Sequence, residues 1–197
     1  GYTFWVFTRQ VDYPPNYFDT VKFFNYGFIG YDTTTVKMYK SFGFAELFRR
    51  THKKRIRAHF LKDVDEAKRM HAVYVNKNGG VDLKELEAAC KGRPILIVGE
   101  NYAYKEAMIN FLRVGKMERY TLNEEKMHAA KIDPGGRLKF LAVKTRTEWD
   151  NAQGLIEEVL AEDKDRIVMN RNELKVITDD YKRKQKEIAQ QTARLDS

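Results

Sequence analysis

The residues of this chain best equipped for chemistry lie between Glu100 and Glu125. Glu100, Glu106, Glu124 and Glu125 are carboxylates close in sequence, the raw material of an acid–base pair. Glu124 and Glu125, however, follow Asn123 at a helix start, where the helix dipole favours negative charge without any catalytic role. Glu100 is different. It follows the apolar run Ile95 to Val98 and opens a loop carrying Tyr102 and Tyr104, with Asn110 on the next extended run. Loops at the carboxyl ends of parallel strands are where α/β sheets bind ligands. Glu100, Tyr102, Tyr104 and Asn110 are therefore the candidate ligand or partner loop. The plainer reading is a structural loop, in which Asn110 and Asn123 satisfy backbone groups.

Other site chemistries lack their residues. Cys90 is the only cysteine, which excludes an intramolecular disulfide and a cysteine-based metal site. It shares an apolar helical register with Leu83, Leu86 and Ala89 and reads as a buried small hydrophobe. His52 and His59 stand seven apart with no carboxylate or cysteine at ligand spacing, so they read as structural or surface residues. Gly27 within the first strand and Gly30 at its close do not make GxGxxG, and no Lys-Ser/Thr follows. There is no Ser-His-Asp elbow, HExxH or P-loop. The chain is expected to be non-enzymatic, with no metal and no cofactor.

The formal charge of +8 is concentrated. Residues 48–70 hold nine Lys/Arg against three Asp/Glu, whereas the tail from Ala161 carries nine positive and eight negative residues. A basic patch can serve nucleic acid, anionic headgroups or an acidic partner, and the plainer reading is a solvated face around a strand. Charge alone does not choose among these, and no nucleic-acid role is expected.

Hydrophobic patterning supplies the elements that must hold these residues. Tyr2 to Val11 places Phe4, Phe7, Thr8 and Val11 on one helical stripe, with Trp5 as core or interface, ended by Pro14 and Pro15. Phe23 to Tyr31 reads as the first strand, followed by a helix capped at Asp32 or Thr33 and running to about Phe42. Ile56 to Leu61 alternates and reads as a strand near a sheet edge. A short helix at Asp65 to Arg69 precedes the strand Ala72 to Val75. Asn76 to Gly80 turns into a helix from Asp82 to Cys90. Ile95 to Val98, closed by Gly99, is a strand buried on both faces. Met108 to Val114 and Met117 to Leu122 form a hairpin about Gly115-Lys116, and Asn123 caps a helix through Ala130. The fold class is α/β: a mixed, mainly parallel sheet flanked by helices, a Rossmann-like sandwich, with a long C-terminal helix.

Two domains follow, an α/β domain over 1–145 and a helical extension over 146–197. Thr147 is the expected cap of the extension, and Gly154 and Glu162 to Asp165 are expected to bend or break it. A 3-4 spacing selects Leu174, Ile177, Tyr181, Lys184, Ile188, Gln191 and Leu195, a weak coiled-coil seam with two polar members. Leu174, Ile177, Tyr181, Ile188 and Leu195 are its candidate interface.

The order Val98-Gly99-Glu100, then Met108-Ile109-Asn110-Phe111, a glycine turn, and Leu122-Asn123 before a short helix resembles the YfiR/HmsC-like periplasmic regulators (DUF4154-type domain). Val11-Asp12-Tyr13-Pro14, Phe23 to Gly30 and His71 to Val75 fall collinearly in that pattern, so the resemblance covers about residues 2–145. It implies the same α/β sandwich and a periplasmic regulatory or sensor module acting through protein partners in the bacterial envelope. Those partners would be an inner-membrane protein or a large complex, with a homodimer as a further option and the C-terminal helix as output or docking element. The alternative is a structural adaptor subunit of a secretion or motility complex. Glu106-Ala107 replaces the family's glycine pair, Thr121 stands where Glu is common, and the paired cysteines of some members are missing. The chain starts at Gly1, so a signal peptide is expected to have been removed. No apolar run approaches the ~20 residues of a membrane span.

Overall fold

The computed structural model describes residues 2–31, 52–114 and 117–195. Its centre is a six-stranded sheet in the order β3-β2-β4-β5-β6-β7. The strands are β2 (Phe23–Ile29), β3 (Arg55–Phe60), β4 (Ala72–Asn76), β5 (Leu96–Glu100), β6 (Ile109–Val114) and β7 (Met117–Leu122). All neighbouring pairs are parallel except β6 with β7. The chain leaves β2 for β3 on one side, then returns to β4 on the other, which creates a topological switch point between β2 and β4. The expected mixed α/β sheet is thus present, and the alternating strand at residues 56–61 does occupy the sheet edge.

Burial explains why these segments are strands. Ala72 to Val75 and Leu96 to Val98 are buried throughout, as parallel strands covered on both faces require. One face is aromatic. Phe24, Tyr26 and Phe28 line it, and α1 (Tyr2–Arg9) packs there through Phe7, whose ring lies 6.0 Å from Phe111 and 4.9 Å from Tyr120. The opposite face carries α2 (Leu83–Cys90), which buries Leu83, Leu86 and Cys90 and is capped by Asp82, whose carboxylate accepts from Lys84 N–H at 2.8 Å. Asn123 caps α3 (Glu124–Ala129) in the same way, accepting from Lys126 N–H at 3.1 Å.

Several boundaries differ from expectation, each for a tertiary reason. Val11 belongs to β1 (Val11–Asp12), not to the first helix, because it pairs with β8 (Asp133–Pro134). Gln10 closes α1 against the Phe7 carbonyl and accepts from Gly135 N–H at 2.7 Å, so the helix stops well before Pro14. β5 runs through Gly99 to Glu100 because the missing Cβ lets Tyr102 and Ala107 close over it: a Cβ there would meet Tyr102 Cδ2 at 2.8 Å. A further helix, α4 (Gly136–Leu141), has no counterpart in the expected elements. The segment at Asp65–Arg69 is a 3-10 turn. The expected helix from Asp32 to Phe42 and the turn at Gly115-Lys116 lie outside the described residues, as do the side chains of Trp5, Ile188 and Leu195.

The last helix, α5 (Arg146–Leu195), is continuous, without a break at Gly154 or at 162–165. Its cap is Thr145 rather than Thr147: Thr145 Oγ1 accepts from Glu148 N–H at 3.2 Å, and Glu148 reaches back to Lys144 N–H at 3.3 Å. Two compact units result, residues 1–152 and 153–197. Trp149, 0 % exposed, belongs to the first. Its indole N–H has no acceptor among the described residues. Trp149→Ala should therefore destabilise that unit by about 3–5 kcal/mol. Trp149→Phe, which removes the unpaired donor and keeps most of the ring, should cost far less, and urea denaturation followed by circular dichroism distinguishes the two.

Candidate functional site

Glu100 ends β5 in register with Asn76 of β4. Period-two geometry puts Tyr74 and Asn76 on the same side of β4, and both converge on Glu100. Tyr74 O–H donates to Glu100 Oε2 at 2.6 Å and Asn76 Nδ2 donates to the same oxygen at 2.9 Å. Tyr74 and Asn76 are not among the candidates that the sequence singles out. The alternation that places them beside Glu100 was legible, but the β4–β5 register was not.

Asn76 and Glu100 edge a cleft of about 1120 Å³ at the carboxyl ends of the parallel strands, bordered also by Gly30, Asp63, Gly79 and Asp82, while Tyr74 stays buried behind them. The cleft lies at the β2/β4 switch point, where doubly wound sheets leave room for ligands. Its floor is set by a backbone crossing. Gly79, after β4, packs directly on the main chain of Gly30, after β2, so closely that a Cβ on Gly79 would overlap Gly30 O and Cα. Gly30 has φ +83°, a left-handed conformation that glycine adopts without steric cost.

The other three residues of the candidate loop are placed differently. Tyr102 is buried, its ring over Gly99 and its O–H donating to the Val81 carbonyl at 3.4 Å. Burial, then Glu106 and Asp82, push its pKa up to about 12, so it stays a neutral phenol. Asn110 is buried and used completely by the loop backbone: its Oδ1 accepts from Tyr102 N–H at 3.2 Å, and its Nδ2 donates to the carbonyls of Tyr102 and Ala103 at 2.7 and 2.8 Å. Tyr104 O–H donates to the Lys144 carbonyl at 2.6 Å. Tyr102, Tyr104 and Asn110 therefore hold the loop in shape, and Glu100 alone of the four borders the cleft.

A second cluster surrounds His71. Backbone N–H of Asn25 donates to His71 Nδ1 at 2.8 Å, which fixes the ring hydrogen on Nε2. Phe18, Phe24 and Tyr17 surround the imidazole, and His52 stacks on Phe18 and Phe24 nearby. Burial, reinforced by His52, lowers the His71 pKa to about 4. Burial also raises the Cys90 thiol to about 11, so it remains protonated and unreactive at neutral pH. No set of three or more His, Cys, Asp or Glu side chains among the described residues is arranged to hold a metal ion.

On α5, Leu174, Ile177 and Tyr181 are each more than half exposed. The same seven-residue interval runs back through Ile167 and Leu160, also exposed, and extends the seam toward the helix start. That continuation could have been found by counting backwards from Leu174.

Comparison with known proteins meets this geometry at one point: residues 3–143 match the YfiR/HmsC-like domain family. The chain belongs to the YfiR/HmsC-like family. Members are periplasmic regulator domains, and the family is a regulatory, non-catalytic one whose proteins act with partners in the envelope. The matched span takes in the whole sheet and the Glu100 cleft and stops just before α5 at Arg146. No match was found among curated proteins. No helix among the described residues is long and apolar enough to cross a membrane.

Proposed function

We propose that this YfiR/HmsC-like protein is a non-enzymatic periplasmic regulatory module that works by gripping other proteins, with α5 as its output or docking element. The observation that carries this reading is the exposed apolar series Leu160, Ile167, Leu174, Ile177 and Tyr181 on a helix beyond the family domain. A helix of this kind draws most of its stability from packing an apolar face, so a solvent-facing series of this length fits a surface made for a partner. The cleft at Glu100 supports the same reading in a different way. Its carboxylate accepts from the neutral Tyr74 O–H and Asn76 Nδ2, and no serine, cysteine or histidine is among the described residues that line the cleft with it.

The test is affinity purification of the full chain from the native envelope, beside the double variant Leu174→Asp/Ile177→Asp. Loss of captured partners by the variant, with the thermal midpoint of the α/β domain unchanged, is the expected result. Identical partner profiles for the two proteins would remove α5 from the mechanism. Recovery of the unaltered chain in stoichiometric amounts within a secretion or motility complex would favour the adaptor role over regulation.

A further inference from the structure

The edge strand β3 has a side that meets no other strand among the described residues. Leu61 N–H donates to the Phe28 carbonyl at 2.8 Å, which sets the phase of the β2–β3 ladder. In a parallel ladder, alternate residues bond to the same neighbour. Arg57 and His59 therefore direct their N–H and C=O groups to β2, while Ile56 and Ala58 turn theirs to the open side. The side chains alternate as well. Arg55, Arg57 and His59 lie on one face of the strand, whereas Ile56 and Ala58 lie on the aromatic face.

On the basic face, a groove of about 510 Å³ separates β3 from the 3-10 turn, with Arg57, His59, Arg69 and Met70 along it. The one carboxylate among the described residues lining the groove, Glu66, is already engaged with Lys62 N–H at 2.8 Å. Arg57 is steadied over the Phe23 ring, 4.0 Å from its centroid. His59 Nε2 is held by Asn25 Oδ1 at 3.1 Å. β3 and β4 are joined by a 3-10 turn instead of a full helix, and the groove lies between that turn and this face of the strand.

We propose that β3 is a docking edge for an extended acidic segment of a partner protein, which adds to the sheet as a seventh strand. The partner's alternate side chains are acidic toward Arg55, Arg57 and Arg69, and aliphatic on the opposite face, beside the half-buried Ala58. Charge selects this occupant. Strand addition supplies affinity through main-chain bonds and specificity through alternate side chains. A second copy of this chain pairing β3 with β3 would set arginine against arginine, and like charges directly opposite are destabilising. The basic face thus rejects self-association and accepts an acidic strand. This surface is separate from α5 and does not depend on the role proposed for it.

The probe is the acetylated, amidated peptide Glu-Val-Glu-Val-Glu-Val-Glu, titrated into the full chain by isothermal titration calorimetry at low salt. Two derivatives carry N-methyl groups, one on every valine and one on every glutamate. Strand addition uses the amides of one alternate set only, so one derivative should lose binding while the other retains it. Which one is lost reports whether the peptide runs parallel or antiparallel. Replacing Glu by Lys in the peptide should abolish binding, and Arg55→Glu/Arg57→Glu in the protein should weaken it by about tenfold or more. Equal binding by both N-methyl derivatives would reduce the contact to nonspecific charge attraction and overturn the proposal. So would equal loss by both, or no binding by the parent peptide. The N-methyl pair leaves the protein unaltered, so the test stands even where the double arginine variant folds poorly.

Discussion

Gly79→Ala should be the most damaging conservative substitution in the α/β domain. The added methyl would overlap the backbone oxygen and Cα of Gly30, atoms fixed by the end of β2, so no side-chain rotation relieves the clash. Overpacking of a tight site costs about 1–3 kcal/mol and more where the backbone itself must move, so a loss of about 3 kcal/mol or more is expected. The neighbouring Gly80→Ala is the control. Gly80 has φ +71° but nothing within 4 Å of its would-be Cβ, so it carries only left-handed strain of about 1–2 kcal/mol. Urea denaturation of the two variants should therefore separate residues one position apart. Equal losses would mean that backbone conformation, and not the Gly30–Gly79 crossing, sets the cost. Because the crossing forms the floor of the Glu100 cleft, any folded Gly79→Ala protein should also have a displaced cleft.

Acidification should destabilise the domain through His71 before the carboxylates titrate. The imidazole is 7 % exposed and must stay neutral to accept from Asn25 N–H. Its pKa is about 4 in the fold against an ordinary 6.5. A group whose charged form is disfavoured by folding contributes stability in full above the unfolded value, and that contribution is lost as pH falls from 6.5 toward 4. At about 1.4 kcal/mol per unit, the loss is at most about 3.5 kcal/mol. His52 acts in the same direction, since burial lowers its pKa too, although its bond to the Thr8 carbonyl opposes the shift. The measurement is the urea midpoint at pH 7.5, 6, 5 and 4.5 for the parent chain and for His71→Asn. The asparagine amide oxygen can take the place of Nδ1 without titrating, so the variant should show a flatter profile between pH 6.5 and 4. Parallel profiles for the two proteins would assign the acid sensitivity to other groups.

The separate parts of this domain were legible to different degrees in the chain itself. Strands were plain where apolar residues run unbroken, as at Ala72 to Val75 and Ile95 to Val98, because burial on both faces demands it. A cap was plain where side-chain chemistry is local, as at Asn123, whereas Asp82, read as the first residue of its helix, turned out to be that helix's cap. The edge position of β3 was legible because its alternate residues are polar. Boundaries set by distant partners were not legible. Val11 is extended because it meets Pro134, and β5 continues through Gly99 because Tyr102 and Ala107 need the space. Thr145 takes the cap in place of Thr147, within two residues of the expected position, because the helix starts one turn-fraction earlier.

The site divides along the same line. Glu100 could be singled out from its place after a buried strand, since a carboxylate at the carboxyl end of a parallel strand is a positional fact of the sequence. That Tyr74 and Asn76 grip it, that Asn110 and Tyr102 are used up inside the loop, and that Gly30 and Gly79 touch, all depend on strand order and register. The amino-acid sequence by itself determined the α/β class, the family, the basic edge strand and the apolar seam of the last helix, because each is a pattern of neighbouring residues. Only the tertiary structure decided which side chains face the cleft, which histidine is forced neutral and which edge of β3 pairs with β2. Those properties arise from contacts between residues tens of positions apart, and periodicity carries no record of them.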